Sequence, residues 1–335
     1  MSADFRALGI AVGHATDNDG ATGVTVIRGL DAPLRGGVAV FGRASGTREL
    51  HTLSSDHLVA RVDAVMLTGG SAYGLDAAGG AMRWMEERGR GYAVPGGVVP
   101  IVPAAVIFDL VPLGRFDARP TAAMAYEACD VAVSTDIVEG SVGAGTGATV
   151  GKITGPSQAM KGGLGCALAA NGDWQVGAVA VVNALGDVRD GDGRIIAGAR
   201  APSAAGEERT FVDAARVLAT VSKRSMLRAE ARLGNAVGAN TTLCAVMTDA
   251  PLGKVELEQL ARAAGAALFR RITPAGTSVD GDVVFALGRA VTPTALGGEA
   301  TVIEALAVAA LESAIERAVR TARGRGGVPG LADSA

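Results

Sequence analysis

Gly238-Ala239-Asn240-Thr241-Thr242-Leu243-Cys244-Ala245-Val246 is the stretch on which the reading of this chain turns. Small residues deliver two threonines into an apolar run with the composition of a β-strand. A hydroxyl on the first residue of a strand can attack the carbonyl just before it. That attack cuts the chain and leaves an N-terminal threonine. Such a residue carries its own nucleophile, Oγ, and its own base, the freed α-amine. The rest of the chain is poor in the usual catalytic base: its three histidines, His14, His51 and His57, all lie near the start. Taken alone, Asn-Thr before a strand is most often only the place where a strand begins.

Composition bounds the alternatives. The chain has 335 residues, 49% of them apolar, and 48 glycines, enough to bury a large core in one domain or two fused lobes. A formal net charge of −3 argues against nucleic acid, because no basic stripe supplies phosphate neutralisation. Cys129, Cys166 and Cys244 are scattered among apolar neighbours and read as buried small hydrophobes in a reducing compartment. Neither a disulfide frame nor a metal site is expected from them, and no cofactor. The opening Met1-Ser-Ala-Asp-Phe-Arg lacks a basic segment followed by an apolar one. The nearest thing to a membrane-length apolar run, Val98 to Leu110, holds two prolines. A cytoplasmic protein without membrane contact is therefore expected.

Periodicity and turn residues divide the chain. Leu8–His14, Gly23–Arg28, Gly37–Phe41, Asp63–Thr68, Thr242–Thr248 and Asp282–Leu287 read as strands. Asn171-Gly172-Asp173 joins Cys166–Ala170 to Gln175–Val182 as a hairpin. Helices are expected over Leu53–Arg61, Ser71–Arg88, Pro120–Asp130 and Lys254–Arg270, and from a Thr301–Glu304 capping box to about Arg323. Glu139–Gly155 is glycine-rich, Asp187–Pro202 reads as a surface excursion, and 324–335 as a flexible tail. Hairpin-linked strands mixed with strand–helix units favour an α+β arrangement, with helices covering largely antiparallel sheets.

Several motifs nearly match. Met66-Leu-Thr-Gly69-Gly70-Ser71-Ala72-Tyr73-Gly74 resembles a nucleophile elbow, but Tyr73 occupies the last glycine position and no histidine follows Ser71. The plainer reading is a tight strand-to-helix turn with Ser71 as helix cap, which could also line a pocket. Gly143-Ala-Gly-Thr-Gly-Ala-Thr-Val-Gly151-Lys152 fails as a P-loop, since Ile153 follows the lysine, and as a dinucleotide fingerprint, since no helix pattern follows. Lys152 reads as a surface lysine if it stands alone. Asp280-Gly281-Asp282 is a turn before a strand or a functional carboxylate pair. Asn240-Thr241-Thr242 also matches the glycosylation sequon, which is idle without a secretory signal.

Ordered blocks along nearly the whole chain nevertheless resemble one family. They are Gly20–Ile27, Leu67–Leu75, Val102–Asp109, Gly145–Lys152, Val181–Asn183, Asn240–Thr242 with Val246–Ala250, and Asp280–Asp282. The family comprises the self-processing N-terminal-nucleophile hydrolases of the DmpA-type aminopeptidases, β-peptidyl aminopeptidases and nylon-oligomer hydrolases (peptidase family S58). The Asn-Thr-Thr junction is most similar to the nylon-oligomer branch.

The resemblance implies a four-layer α/β/β/α sandwich forming one globular domain, cut between Asn240 and Thr241 into fragments 1–240 and 241–335. It implies an amide or peptide hydrolase acting on small peptides or amides, assembled as a homotetramer. Thr241 would be the nucleophile, Asn183 an oxyanion donor, and Lys152 a charge beside the nucleophile. Asp280 and Asp282 would orient Thr241 or hold the substrate's amino group, while Gly70, Ser71, Tyr73 and Phe108 would line the pocket. Phe108 stands where the nylon-oligomer hydrolases carry tyrosine, so a hydroxyl near the site is missing. Two other classes share the architecture: acyltransferases of the ornithine acetyltransferase type, and a non-catalytic member of the fold.

Overall fold

The computed structural model describes residues 3–202, 210–220, 240–294 and 296–334. Gly238 and Ala239, the small residues leading to Asn240, lie outside the described residues. Two five-stranded sheets carry the fold. The first runs β1 (Ile10–Asp17), β2 (Thr22–Gly29), β5 (Ala64–Thr68), β6 (Ala104–Val106), β4 (Gly46–Arg48) across its width. The second runs β7 (Gly163–Ala170), β8 (Gln175–Asn183), β9 (Thr241–Thr248), β10 (Val283–Arg289), β3 (Leu34–Val40). Pairing is antiparallel except β5 with β6 and β9 with β10.

Alternation along the strands stacks these sheets face to face. Ile10, Val12, Val65, Leu67, Val179, Val181, Leu243, Ala245, Met247, Val283, Phe285 and Leu287 form one core between them. Their neighbours point outward. Val24, Val26, Ala64 and Met66 meet α1 (Ala78–Glu86) and α2 (Ala122–Asp130). Cys244, Val246, Val284 and Ala286 meet α4 (Lys254–Ala264), α5 (Ala266–Arg271) and α6 (Glu299–Arg320). A period of two on strands buried on both faces therefore builds the α/β/β/α sandwich. A further short helix, α3, spans Ala214–Thr220. All three cysteines are buried and unbonded, and no helix among the described residues is long and apolar enough to cross a membrane.

Several element expectations are corrected. Leu53–Arg61 is not a helix; only Leu50–Leu53 makes a 3₁₀ turn. Ser54 hydrogen-bonds to Asp56 in a local side-chain turn that competes with helix formation. The segment is held by Lys254 Nζ, which donates to the carbonyls of Thr52, His57 and Val59. Lys254–Arg270 breaks at Gly265, where a Cβ would lie 2.2 Å from the Phe41 ring. Ser71 opens a 3₁₀ turn, Ser71–Ala77, before α1 and makes no side-chain cap. Helix α6 starts at Glu299, so Thr301 lies inside it and the capping box does not form. The chain after Arg323 does not trail away: the Pro329 carbonyl accepts from Lys161 N and Ala332 N donates to the Ala322 carbonyl. Asp190–Arg194 is the outer tip of the Asp187–Pro202 excursion, but Asp187 itself is buried and accepts from the Ala199 and Ala214 amides.

Candidate active site

Strand β9 lies at the centre of the second sheet, and all eight of its residues are buried. Thr241 is its first residue and stands opposite Asn183, the last residue of β8. Odd positions of β9 enter the core between the sheets, as do Val179 and Val181 of β8. The same alternation puts Thr241 and Asn183 at the end of that core, facing the first sheet. Asn183 Nδ2 crosses to it, donating to the Phe108 carbonyl at 3.2 Å.

The glycine-rich segment brings a cation to this point. Asn183 Oδ1 accepts from the Thr149 amide and from Lys152 Nζ, both at 3.0 Å, and Nζ also donates to the Asn183 carbonyl at 3.0 Å. These contacts fix which end of the Asn183 amide is the donor. Gly151 adopts φ +71°, and a Cβ there would sit 2.0 Å from the Gly198 and Ala199 backbone; only glycine lets the loop reach this depth. Lys152 is buried, which lowers its pKa to about 7 despite the opposing pull of Asp280 and Asp282. It is therefore not a surface lysine.

Asp280-Gly281-Asp282 leads into β10 beside the same junction. Asn240 bridges Asp280 in parallel. Asp282 Oδ1 accepts from the Thr242 amide at 2.6 Å and Oδ2 from the Gly276 amide at 3.0 Å. Asp280 Oδ2 accepts from Thr277 N and Oγ1 at 2.8 and 2.7 Å. Burial raises both carboxyls; Asp282, which also faces the charge of Asp280, is pushed up to about 7. Asp282 thus holds Thr241 through the next residue's backbone. Thr241 Oγ donates to the Asn240 carbonyl at 2.6 Å, and Gly281 N donates to that same oxygen at 2.9 Å.

Of the expected pocket residues, Phe108 reaches the cluster through its carbonyl. Gly70, at φ +81°, is tied to it through Asp109, whose Oδ1 accepts the Gly70 amide at 2.7 Å. Ser71 N donates to the Ile107 carbonyl. Tyr73 is half exposed, its ring 3.5 Å beneath the Arg119 guanidinium; none of the described contacts links it to Thr241. Sequence reading missed Thr149, Asp109 and Lys161. Asp109 is buried at the end of the Val-Ile-Phe-Asp run, and burial pushes its carboxyl up to about 6. Lys161 is fully buried and holds the glycine-rich loop by donating to the carbonyls of Gly145, Ala148 and Gly162. A lysine among glycines and apolar residues was the available signal. Among the described residues no group of three or more His, Cys, Asp or Glu could hold a metal ion.

The model of peptidase family S58 matches residues 7–331. An uncharacterised aminopeptidase of Mycobacterium tuberculosis is 39% identical, covering 97% of this chain and 95% of its own. A 6-aminohexanoate-oligomer endohydrolase of a Kocuria species is 30% identical, over 83% of this chain and 72% of its own. Among solved structures, the L-aminopeptidase D-Ala-esterase/amidase of Ochrobactrum anthropi, described as a variant of the Ntn hydrolase fold, superposes with a TM-score of 0.68. It is 21% identical and covers 98% of this chain and 90% of its own. The chain therefore belongs to peptidase family S58, and is a hydrolase of amide bonds.

Proposed function

We propose that this hydrolase activates itself by cutting the Asn240–Thr241 bond and then uses Thr241 as an N-terminal nucleophile on small peptides or linear amides. The observation that carries the reading is Thr241 Oγ held 2.6 Å from the carbonyl oxygen of Asn240, at the start of a buried strand and opposite Asn183. In the uncut chain the Thr241 nitrogen is part of an amide and cannot act as base. Lys152, whose Nζ sits on Asn183 directly opposite Thr241 and whose burial favours the neutral amine, takes the Oγ proton instead. Oγ adds to the Asn240 carbonyl carbon, the C–N bond breaks as its nitrogen takes a proton, and water hydrolyses the resulting ester.

The freed amine has a reference pKa near 8 and can accept the Oγ proton during turnover. Oγ then attacks the substrate amide, the amine protonates the departing nitrogen, and water releases the acyl group. The Phe108 carbonyl accepts from Nδ2 of Asn183 and helps to set the plane of its amide; the reading assigns the Asn183 amide to the substrate oxyanion, a contact worth about 10²–10³-fold when lost. Asp282 holds the Thr241–Thr242 backbone in place, while Asp280 and the Gly70–Tyr73 turn face the substrate. Fragments 1–240 and 241–335 stay together as one domain because β9 and β10 are central strands of a sheet completed by the other fragment. Homotetrameric assembly and a cytoplasmic location complete the reading.

Thr241→Ala is expected to leave a single uncut chain without amidase activity, whereas Ser71→Ala is still cut. Denaturing electrophoresis of both variants decides it: fragments from the threonine variant would refute the assignment. Acyl transfer to ornithine in preference to water would move the enzyme to the acyltransferase class.

A further inference from the structure

We infer that the backbone N–H of Gly281 is the oxyanion donor for the self-cleavage step. The inference rests on the Thr241 reading above and adds a reacting group to it. The Asn240 carbonyl oxygen accepts from Thr241 Oγ at 2.6 Å and from Gly281 N at 2.9 Å. The first comes from the attacking group. The second comes from the segment that leads into β10, on the very oxygen that must become negative.

This donor is fixed before the reaction begins. The flanking carbonyl of Asp280 accepts from Arg43 N and Ala44 N at 2.9 Å each, and that of Asp282 accepts from Phe41 N at 2.7 Å. The segment carrying Gly281 is thus clamped on both sides by 41–44. A Cβ at Gly281 would lie 2.6 Å from the Ala44 carbonyl oxygen and 2.8 Å from its carbon. Only glycine lets this segment run so close to that backbone, which is why the two aspartates are separated by one. A donor held this way costs no reorganisation when charge develops on the oxygen.

As the Thr241 Oγ–C bond forms, the π pair of the Asn240 carbonyl moves onto its oxygen and the Oγ proton passes to Lys152. Gly281 N–H holds the oxyanion. When the pair returns to re-form C=O, the C–N bond breaks and the Thr241 nitrogen takes the proton from Lys152. Hydrolysis of the ester then gives the Asn240 carboxylate and restores the Thr241 hydroxyl.

The direct test is a full-length chain in which Gly281 is replaced by glycolate, turning its N–H into an ester oxygen. The same exchange at Ala44, by lactate, serves as control: it removes one clamp on the Asp280 carbonyl but leaves the donor to Asn240. Cutting, followed by denaturing electrophoresis, is expected to slow about 10²–10³-fold with Gly281→glycolate and no more than a few-fold with Ala44→lactate. Equal rates for the Gly281 ester and the natural chain, or equal slowing by both esters, would overturn the inference. A natural chain never cut at Asn240–Thr241 would overturn the Thr241 reading with it. Should the ester chain fail to fold, a crystal structure of Thr241→Ala decides: Gly281 N is expected within hydrogen-bond reach of the Asn240 oxygen, and a carbonyl turned away would contradict it.

Discussion

At the residue scale the site rests on lending ordinary groups unusual protonation states. Lys152 is buried, so its neutral form is populated at far lower pH than that of a solvated lysine. In the proposed mechanism it accepts the Thr241 proton above about pH 7 and, already protonated, does not do so below that value. The rate of self-cleavage is therefore expected to rise with pH through about 7 and to level off above it. Lys152→Met is expected to slow cutting by about 10²–10⁴-fold and to abolish that rise. Lys152→Arg should not restore it, because a guanidinium keeps its proton across this range. Cutting rates measured from pH 5 to 9 check both; an unchanged profile in Lys152→Met would remove the lysine from the mechanism. Asp280 and Asp282 point the other way: burial favours their protonated forms, and the nearby lysine opposes it.

At the element scale, close backbone approach matters as much as hydrophobic pattern. Helix α6 lies against β7 because Gly163 and Gly165 present no side chain to it. A Cβ at Gly165 would stand 2.2 Å from the Ala314 carbonyl oxygen and 2.4 Å from Ala318 N. Both are helix backbone atoms, so Gly165→Ala must push the helix off the sheet, at a cost of about 1–3 kcal/mol. Denaturant unfolding is the measurement, and unchanged stability would mean that the helix has room to move.

Such contacts also explain what was legible in sequence. The Asn171-Gly172-Asp173 hairpin, the run from Thr242 and the strand before Leu287 announce themselves by turn chemistry and β-branched residues. The break at Gly265 does not, because the ring that leaves no room for a side chain there belongs to Phe41, just past β3 and far away in sequence. Nor does the loss of the Thr301 capping box, since the helix already starts at Glu299.

At the scale of the whole molecule, two sheets share one core and the site forms where that core ends. Thr241, Asn183 and Lys152 come from segments far apart in sequence, and sequence alone gives no reason to join them; the family likeness supplied the grouping. Groups acting through the backbone stayed hidden: Asp109 through the Gly70 amide, Lys161 through three carbonyls, Gly281 through its own N–H. The paired aspartates were visible, but their grip on the Thr242 amide was not. The last dozen residues read as a loose tail on composition, yet Pro329 and Ala332 hydrogen-bond back to the domain.

The most direct measurement is the intact mass of the purified protein under denaturing conditions, with N-terminal sequencing of any smaller species. Two chains are expected, the smaller beginning Thr241-Thr242-Leu243. A single chain of the full 335 residues in a preparation that hydrolyses amides would contradict the account.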